Sequence, residues 1–495
     1  MRLSRIVLLL ALLKLAVHVV FINGYGIFRD EFYYLACGRH PAWGYVDNAP
    51  LLPWITGLTT SLFGESIYSI RILPALAGAG LVLLTGYLAR ELGGGRFAQA
   101  LAALCALVAP IWLGIQHTLQ NNAFEPLFWM GCVLVYLRFQ HTGNQRLWLW
   151  FGVLAGLGLL NKHSTFFFGF GFFAGLCIAR DWKTLRSRWF WLGGVVASLF
   201  YLPHAVWQAA NGWPFLEFAR NAARYKNAIL PPVQFVWQQI MPMNPFTFPV
   251  WILGLGALLV AARFKACRAL GWAYLVMFAT FFLLHGKNYY LVPAYPMLLA
   301  AGGVVLEKWR FRAVLIPLLA VSGIVVLPFG IPVLPPETFL RYAKALRVEE
   351  VPEERQKMGP LPQYQADMFG WKEMAEEVAR VYHTLPPQDQ ARACVYGQNY
   401  GEAGAIDFFR PKLGLPPAIS GHNSYWLWGP GNCGQVLIVI GGNPDDARKV
   451  YGEVTPAGKT FHPYAMPYEN NRVIWICRQP KVNLKSVWPR VKNYI

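Results

Sequence analysis

Two stretches near the N-terminus gather residue types that move protons: Phe28-Arg29-Asp30-Glu31-Phe32-Tyr33-Tyr34 and Gly44-Tyr45-Val46-Asp47-Asn48-Ala49-Pro50-Leu51. Residues 1–331 hold only nine acidic side chains, and three of them fall here. Carboxylates are expensive next to hydrocarbon unless used. The Asp30-Glu31 pair therefore reads either as a helix start, where acids complement free N–H groups, or as carboxylates kept for acid–base chemistry. Asp47, before Asn48 and near Pro50, reads as a turn residue. Glu125 lies in Gln116-His117-Thr118-Leu119-Gln120-Asn121-Asn122-Ala123-Phe124-Glu125-Pro126-Leu127, a polar helix start with Pro in the first turn. Cations and hydroxyls that could hold an anion are Lys162 in the turn Asn161-Lys162-His163, Lys287 followed by Tyr289 and Tyr290, and Arg220, Arg224 and Lys226. The tyrosines also fit an aromatic belt at span ends. His40, His117, His163, His204 and His285 fit no metal-ligand spacing.

These residues sit in the breaks of an apolar chain. Of 495 residues 55% are hydrophobic and 14% charged, against roughly 25% charged in a soluble domain. Apolar runs of about 15–20 residues, near the length a bilayer requires, fall near 5–23, 72–89, 97–115, 123–139, 147–160, 165–179, 189–206, 247–262, 269–284, 291–306 and 313–331. The net charge is +19, of which +16 lies in residues 1–331. There the basic residues alternate from one connection to the next: Arg2 and Arg5, Arg90 and Arg96, Arg138 and Arg146, Arg180 to Arg188, Arg263 to Arg268, Lys308 to Arg312. By the positive-inside rule these clusters are cytoplasmic, and the loops at 24–71, 116–122 and 207–246 with the turns at 161–163 and 285–288 are outside. This patterning, without any nucleic-acid-binding signature, sets nucleic acid aside as a partner. The first run lacks a small-residue cleavage site before Asn23-Gly24 and reads as a retained helix, not a signal peptide.

The sequence thus predicts an α-helical polytopic membrane domain over 1–331, with outer loops 24–71 and 207–246, and an α/β domain over 332–495 outside the membrane. Within the second, 337–359 is charged and helical in pattern, Trp371–Thr384 is an amphipathic helix, and 393–396, 435–441 and 472–477 are strands. Of eight cysteines, Cys394, Cys433 and Cys477 fall in this domain, where one disulfide among the three is compatible with an oxidising compartment. Tyr396–Ala405 follows a strand and opens a helix but lacks a nucleotide-binding spacing, and Ser420–Pro430 mixes small polar and aromatic residues.

Asp-Glu followed by two tyrosines, then Gly-Tyr-x-Asp-x-x-Pro-Leu, resembles the first outer loop of GT-C class membrane glycosyltransferases. The branch is that of the dolichyl-phosphate-mannose protein mannosyltransferases and the bacterial lipid A aminoarabinose transferase. The resemblance recurs at Gly158-Leu159-Leu160-Asn161-Lys162-His163-Ser164 and at Gly286-Lys287-Asn288-Tyr289-Tyr290-Leu291-Val292-Pro293-Ala294-Tyr295-Pro296, in the same order. It implies a GT-C fold in the inner membrane and transfer of a hexosyl or pentosyl group from a polyprenyl-phosphate-sugar donor to a glycan, lipid or protein acceptor. It implies no required cofactor, although some relatives carry a divalent metal outside the chemistry.

By the same resemblance Asp30 matches the family's catalytic carboxylate, a general base for the acceptor hydroxyl, and Glu31 orients the acceptor or the donor. A lipid phosphate leaves without protonation, so one base and direct displacement imply inversion at the anomeric carbon. Lys162, Lys287, Tyr289 and Arg224 fall to the donor phosphate, and Asp47, Glu125 and Tyr34 to substrate positioning. Relatives carry Asp where Glu125 stands. A secondary transporter and a non-catalytic envelope glycan assembly protein are the competing readings. Acids gathered in loops rather than mid-span, and the outer α/β domain, speak against the transporter.

Overall fold

Helices form wherever the apolar runs lie. The computed structural model describes residues 3–348 and 354–495 and is mostly helical. Helices cover Arg5–Val20, Ile67–Glu91, Arg96–Val108, Asn121–Thr142, Leu147–Asn161, Thr165–Ile178, Arg188–Ala210, Phe248–Val260, Arg268–Leu283, Tyr295–Leu306 and Leu315–Gly330. Among the described residues five stretches are long and apolar enough to cross a membrane: Ile67–Glu91, Arg188–Ala210, Ala262–Leu283, Asn288–Leu306 and Arg312–Gly330. The chain is a multi-pass membrane protein. The apolar run at 97–115 is broken after Val108, because Pro110 has no N–H and holds Ala109 extended, at φ −76° and ψ 117°; helix resumes at Pro110–Ile115. The outer loop expected at 24–71 contains two helices, Arg29–Arg39 and Leu51–Phe63.

The chain divides into two compact units. One comprises the residues up to Gly24 with Tyr68–Val206 and Ile229–Val333; the other comprises Tyr25–Ile67, Trp207–Ala228 and Leu334–Ile495. In the first, Trp112, Trp129, Trp148, Phe139 and Phe168 are among the largest fully buried side chains. Glycines set its closest helix crossing. A Cβ on Gly302 would come within 1.8 Å of the Val250 carbonyl oxygen, and one on Gly254 within 2.0 Å of that of Leu298. Only glycine lets Phe248–Val260 and Tyr295–Leu306 pack backbone to backbone.

The second unit is built on a five-stranded sheet: β1 (Ala393–Gly397), β2 (Ala418–Ser420), β3 (Val436–Ile440), β4 (Tyr451–Lys459) and β5 (Val473–Pro480), in the order β2-β1-β3-β5-β4. β1 pairs parallel with β2 and β3, and β5 antiparallel with β3 and β4. Central β3, Val-Leu-Ile-Val-Ile, is buried on both faces, as an unbroken apolar run requires. The helix Trp371–His383 buries Trp371, Met374, Ala375, Val378 and Val381 at helical spacing, and these join the core formed with Val395, Ile438 and Ile476. Cys394 and Cys433 form the disulfide; Cys477 is free and buried. The charged helix ends at Ala345, and Arg347 takes a positive φ of 53°. Glu349, Glu350 and Glu353 of the expected helix at 337–359, like Arg2, lie outside the described residues.

Candidate active site

In the second unit the residues around Asp30 assemble where two helices cross. Glu31 occupies the third position of Arg29–Arg39, and its Oε2 accepts from the Phe28 N–H at 2.8 Å, closing the helix start; its side chain is fully buried. Asp30, one residue earlier, turns outward and keeps 34% of its side chain exposed. Helix Tyr400–Leu413 begins where Asn399 Oδ1 accepts from the N–H groups of Gly401 and Glu402, at 2.8 and 3.0 Å. A Cβ on Gly404 would lie 2.8 Å from Phe32 Cβ, so glycine there lets the two helices touch. That contact carries the Tyr400 hydroxyl to Asp30, donating to Oδ1 at 2.7 Å.

A second layer fixes this pair. Arg29 Nε is 3.5 Å from Asp30 Oδ1, and its Nη2 is 3.6 Å from Asp367 Oδ2; Nη1 also donates to the Tyr468 hydroxyl. The Tyr400 ring stacks on Tyr33 at 4.6 Å and on His422 at 4.8 Å. Burial pushes the Tyr400 hydroxyl well above the ordinary tyrosine range, so it remains a donor at neutral pH. Tyr33 in turn donates to Asp47 Oδ1 at 2.8 Å, and Asn423 Nδ2 donates to Asp47 Oδ2 at 3.1 Å. Burial raises the Asp47 carboxyl to about 6, partly offset by the Tyr33 hydrogen bond. Burial likewise raises Asp367 to about 6 against the pull of Arg29, and lowers His422 to about 3. His422 Nδ1 accepts from the Tyr400 N–H at 3.1 Å, as a neutral imidazole can. Tyr34 donates to Asn48 Oδ1 at 3.2 Å. Arg224, in the π-helical turn Ala222–Lys226, is exposed, with its guanidinium 5.1 Å from the Tyr225 ring centroid.

The first unit gathers the other sequence-derived residues. Lys162 ends the helix Leu147–Asn161 at an extended C-cap. Its Nζ lies 3.0 Å from Glu125 Oε2, 2.5 Å from Asn122 Oδ1, and 5.5 and 4.8 Å from the ring centroids of Tyr289 and Tyr290. Ser164 donates to the other Glu125 oxygen, and Glu125 is 2% exposed. Lys287 Nζ is 5.7 Å from the Tyr289 centroid, so both lysines share that ring. An apolar cleft lined by Ile229, Leu230, Phe235, Phe282 and Leu283 runs beside Gly286. Lys162, Lys287, Tyr289 and Glu125 thus form one cluster, of a kind that can hold an oxyanion beside an apolar chain.

Tyr400, Arg29, Asp367 and Tyr468 are neighbours of Asp30 that sequence reasoning did not single out as site residues. The Tyr396–Ala405 stretch flagged the region, but nothing local tied Tyr400 to a residue 370 positions away. Among the described residues no group of three or more His, Cys, Asp or Glu is arranged to hold a metal ion.

The chain is similar to known proteins in sequence and in fold. A family model described as dolichyl-phosphate-mannose-protein mannosyltransferase matches residues 47–207. The undecaprenyl phosphate-alpha-4-amino-4-deoxy-L-arabinose arabinosyl transferase 1 of Pseudomonas fluorescens is 26% identical over 320 residues; the match spans 60% of this chain and only 56% of that protein. The crystal structure of ArnT from Cupriavidus metallidurans bound to undecaprenyl phosphate superposes with a TM-score of 0.65 at 17% identity, covering 94% of this chain and 97% of that one. The Archaeoglobus fulgidus oligosaccharyltransferase in complex with Zn and sulfate gives 0.50 at 14% identity, over 88% and 68% of the two chains. The chain has the fold of these GT-C proteins, with a small C-terminal sheet, and resembles the mannosyltransferase and ArnT branch.

Proposed function

We propose that this protein is a glycosyltransferase of the inner membrane that moves a hexosyl or pentosyl group from a polyprenyl-phosphate donor to an acceptor hydroxyl, with inversion at the anomeric carbon. The observation that carries the reading is Asp30: a partly exposed carboxylate held by the Tyr400 hydroxyl at 2.7 Å and flanked by Arg29. A carboxylate so oriented accepts the proton of an attacking hydroxyl, and the phosphate departs without protonation. Asp30 is the base. Glu31 acts through the backbone it caps and is a positioning residue, as are Asp47 and Tyr34, which hold the loop behind Tyr33 and at Asn48.

Lys162 and Tyr289, with Lys287, take the donor phosphate. Glu125 keeps Lys162 extended toward the tyrosines, and the apolar cleft at Ile229 to Leu283 suits the polyprenyl chain. Eleven spans within 1–331 place the N-terminus in the cytoplasm, and 332–495 then lies in the periplasm with the loops at 24–71 and 207–246. The acceptor is a glycan, a lipid or a protein, and no cofactor is required for these steps.

The test is mass spectrometry of envelope glycans and glycolipids from a deletion strain complemented with wild type or with Asp30→Asn. The missing sugar reappears with wild type and not with Asp30→Asn. Full complementation by Asp30→Asn would exclude Asp30 as the base and favour a non-catalytic assembly role.

A further inference from the structure

The first helix carries two polar side chains among its leucines. Lys14 and His18, one turn apart on Arg5–Val20, are 0% and 1% exposed. Gln116 and His117, just after the helix Pro110–Ile115, are 0% and 1% exposed. The four residues form one cluster. The rings of His18 and His117 stack at 5.7 Å. A Cβ on Gly78 would lie 2.9 Å from Gln116 Oε1 and 3.1 Å from Lys14 Cε, so both side chains lie against the same glycine. Lys14 Nζ, both ring nitrogens of His18 and of His117, and both amide atoms of Gln116 have no hydrogen-bond partner among the described residues.

Four adjacent buried side chains with every polar atom unmatched are uncommon, since buried polar groups are nearly always paired. An ammonium among membrane helices is more demanding still and calls for an anion or a dense set of acceptors. The cluster's own chemistry indicates which. Lys14 offers three N–H donors, Gln116 two, and each neutral imidazole one, while acceptors are limited to one nitrogen per imidazole and the amide oxygen. Donors are in excess, so the complementary ligand is negative and rich in acceptor oxygens. The donors come from two directions, the first helix and the turn after Ile115, and a tetrahedral oxyanion can meet both where a planar carboxylate presents two oxygens.

We propose that Lys14, His18, Gln116 and His117 form a binding site for a phosphate group, carried by inorganic phosphate or by a phosphomonoester lipid headgroup. The site shares no residue with the Lys162 cluster. Its function is to tie the first helix to the turn after Ile115, making the stability of this region dependent on the bound anion.

The experiment is thermal unfolding of the full chain in detergent, titrated separately with inorganic phosphate and with phosphatidic acid in phosphatidylcholine micelles. Wild type, Lys14→Met and Lys162→Met are compared. At least one ligand raises the Tm of wild type and of Lys162→Met saturably, while Lys14→Met needs at least about tenfold more of it, the loss of one charge-assisted contact. A response to inorganic phosphate alone identifies the free anion as the ligand, and a response to phosphatidic acid alone identifies the headgroup. The proposal is overturned if neither ligand shifts the wild-type Tm, if Lys14→Met responds as wild type does, or if the response disappears in Lys162→Met. Should Lys14→Met fail to fold, His18→Phe carries the same comparison with the same outcomes.

Discussion

Lys162→Met separates the two tasks assigned to this lysine. Methionine keeps the length of the side chain and removes the charge, leaving Glu125, 2% exposed, without the cation now 3.0 Å from it. Stranding a buried carboxylate costs about 3–5 kcal/mol, and the hydrogen bond from Ser164 that survives at the other oxygen keeps the loss near the lower figure, about 3 kcal/mol. At roughly 2–4 °C per kcal/mol for a unit of this size, the melting temperature falls by roughly 6–12 °C. Glu125→Gln in the same chain removes the stranded charge and recovers most of that loss. Donor binding behaves differently. A charge-assisted hydrogen bond to phosphate is worth about 1.5–3 kcal/mol, so the affinity for a polyprenyl phosphate drops by roughly 10–100-fold in Lys162→Met. It stays down in the double variant, because Glu125→Gln restores no cation. Thermal unfolding and equilibrium binding of polyprenyl phosphate, read on the same four proteins, give the complete cycle. If the double variant binds polyprenyl phosphate as tightly as wild type, Lys162 is only the counter-ion of Glu125 and its assignment to the donor is refuted.

Three further outcomes follow from the second unit. Tyr400→Phe deletes the hydroxyl 2.7 Å from Asp30 and lowers kcat/KM by roughly 10–100-fold with little change in donor affinity; unchanged turnover would remove Tyr400 from the site. Asp47, whose carboxyl burial raises from 3.8 to about 6, holds its proton more tightly folded than unfolded, so its contribution favours the folded state below pH 3.8 and is lost as pH rises to about 6. Asp47→Asn removes that titration, and the Tm of the variant minus that of wild type rises between pH 4 and pH 7; a flat difference would contradict the assigned burial effect. Cys394 and Cys433 are 39 positions apart, and a cross-link of that span restrains the unfolded chain by about 4 kcal/mol. Replacing both with Ala lowers the melting temperature of the full chain, and a reducing agent then shifts wild type alone.

The amino-acid sequence by itself determined where the membrane-half helices lie, because apolar runs and the Pro and Gly that break them are local properties. It also marked Asp30, Glu125, Lys162, Lys287 and Tyr289 as residues able to do chemistry, since each is a polar or charged group in a break between apolar runs. Three things were decided only by tertiary structure. Glu31 and Asp30 are neighbours of the same type, yet one is buried in a helix cap and the other is turned outward, a difference set by the helix phase at Phe28. Cys394 pairs with Cys433 rather than Cys477 because of where β1 and the loop before β3 meet. The segments 25–67 and 207–228 fold in one unit with 334–495, and there Gly404 against Phe32 brings Tyr400 to Asp30 across 370 positions of chain. Helical periodicity acts over a few residues and carries no record of that distance; close packing of two helices at a glycine does.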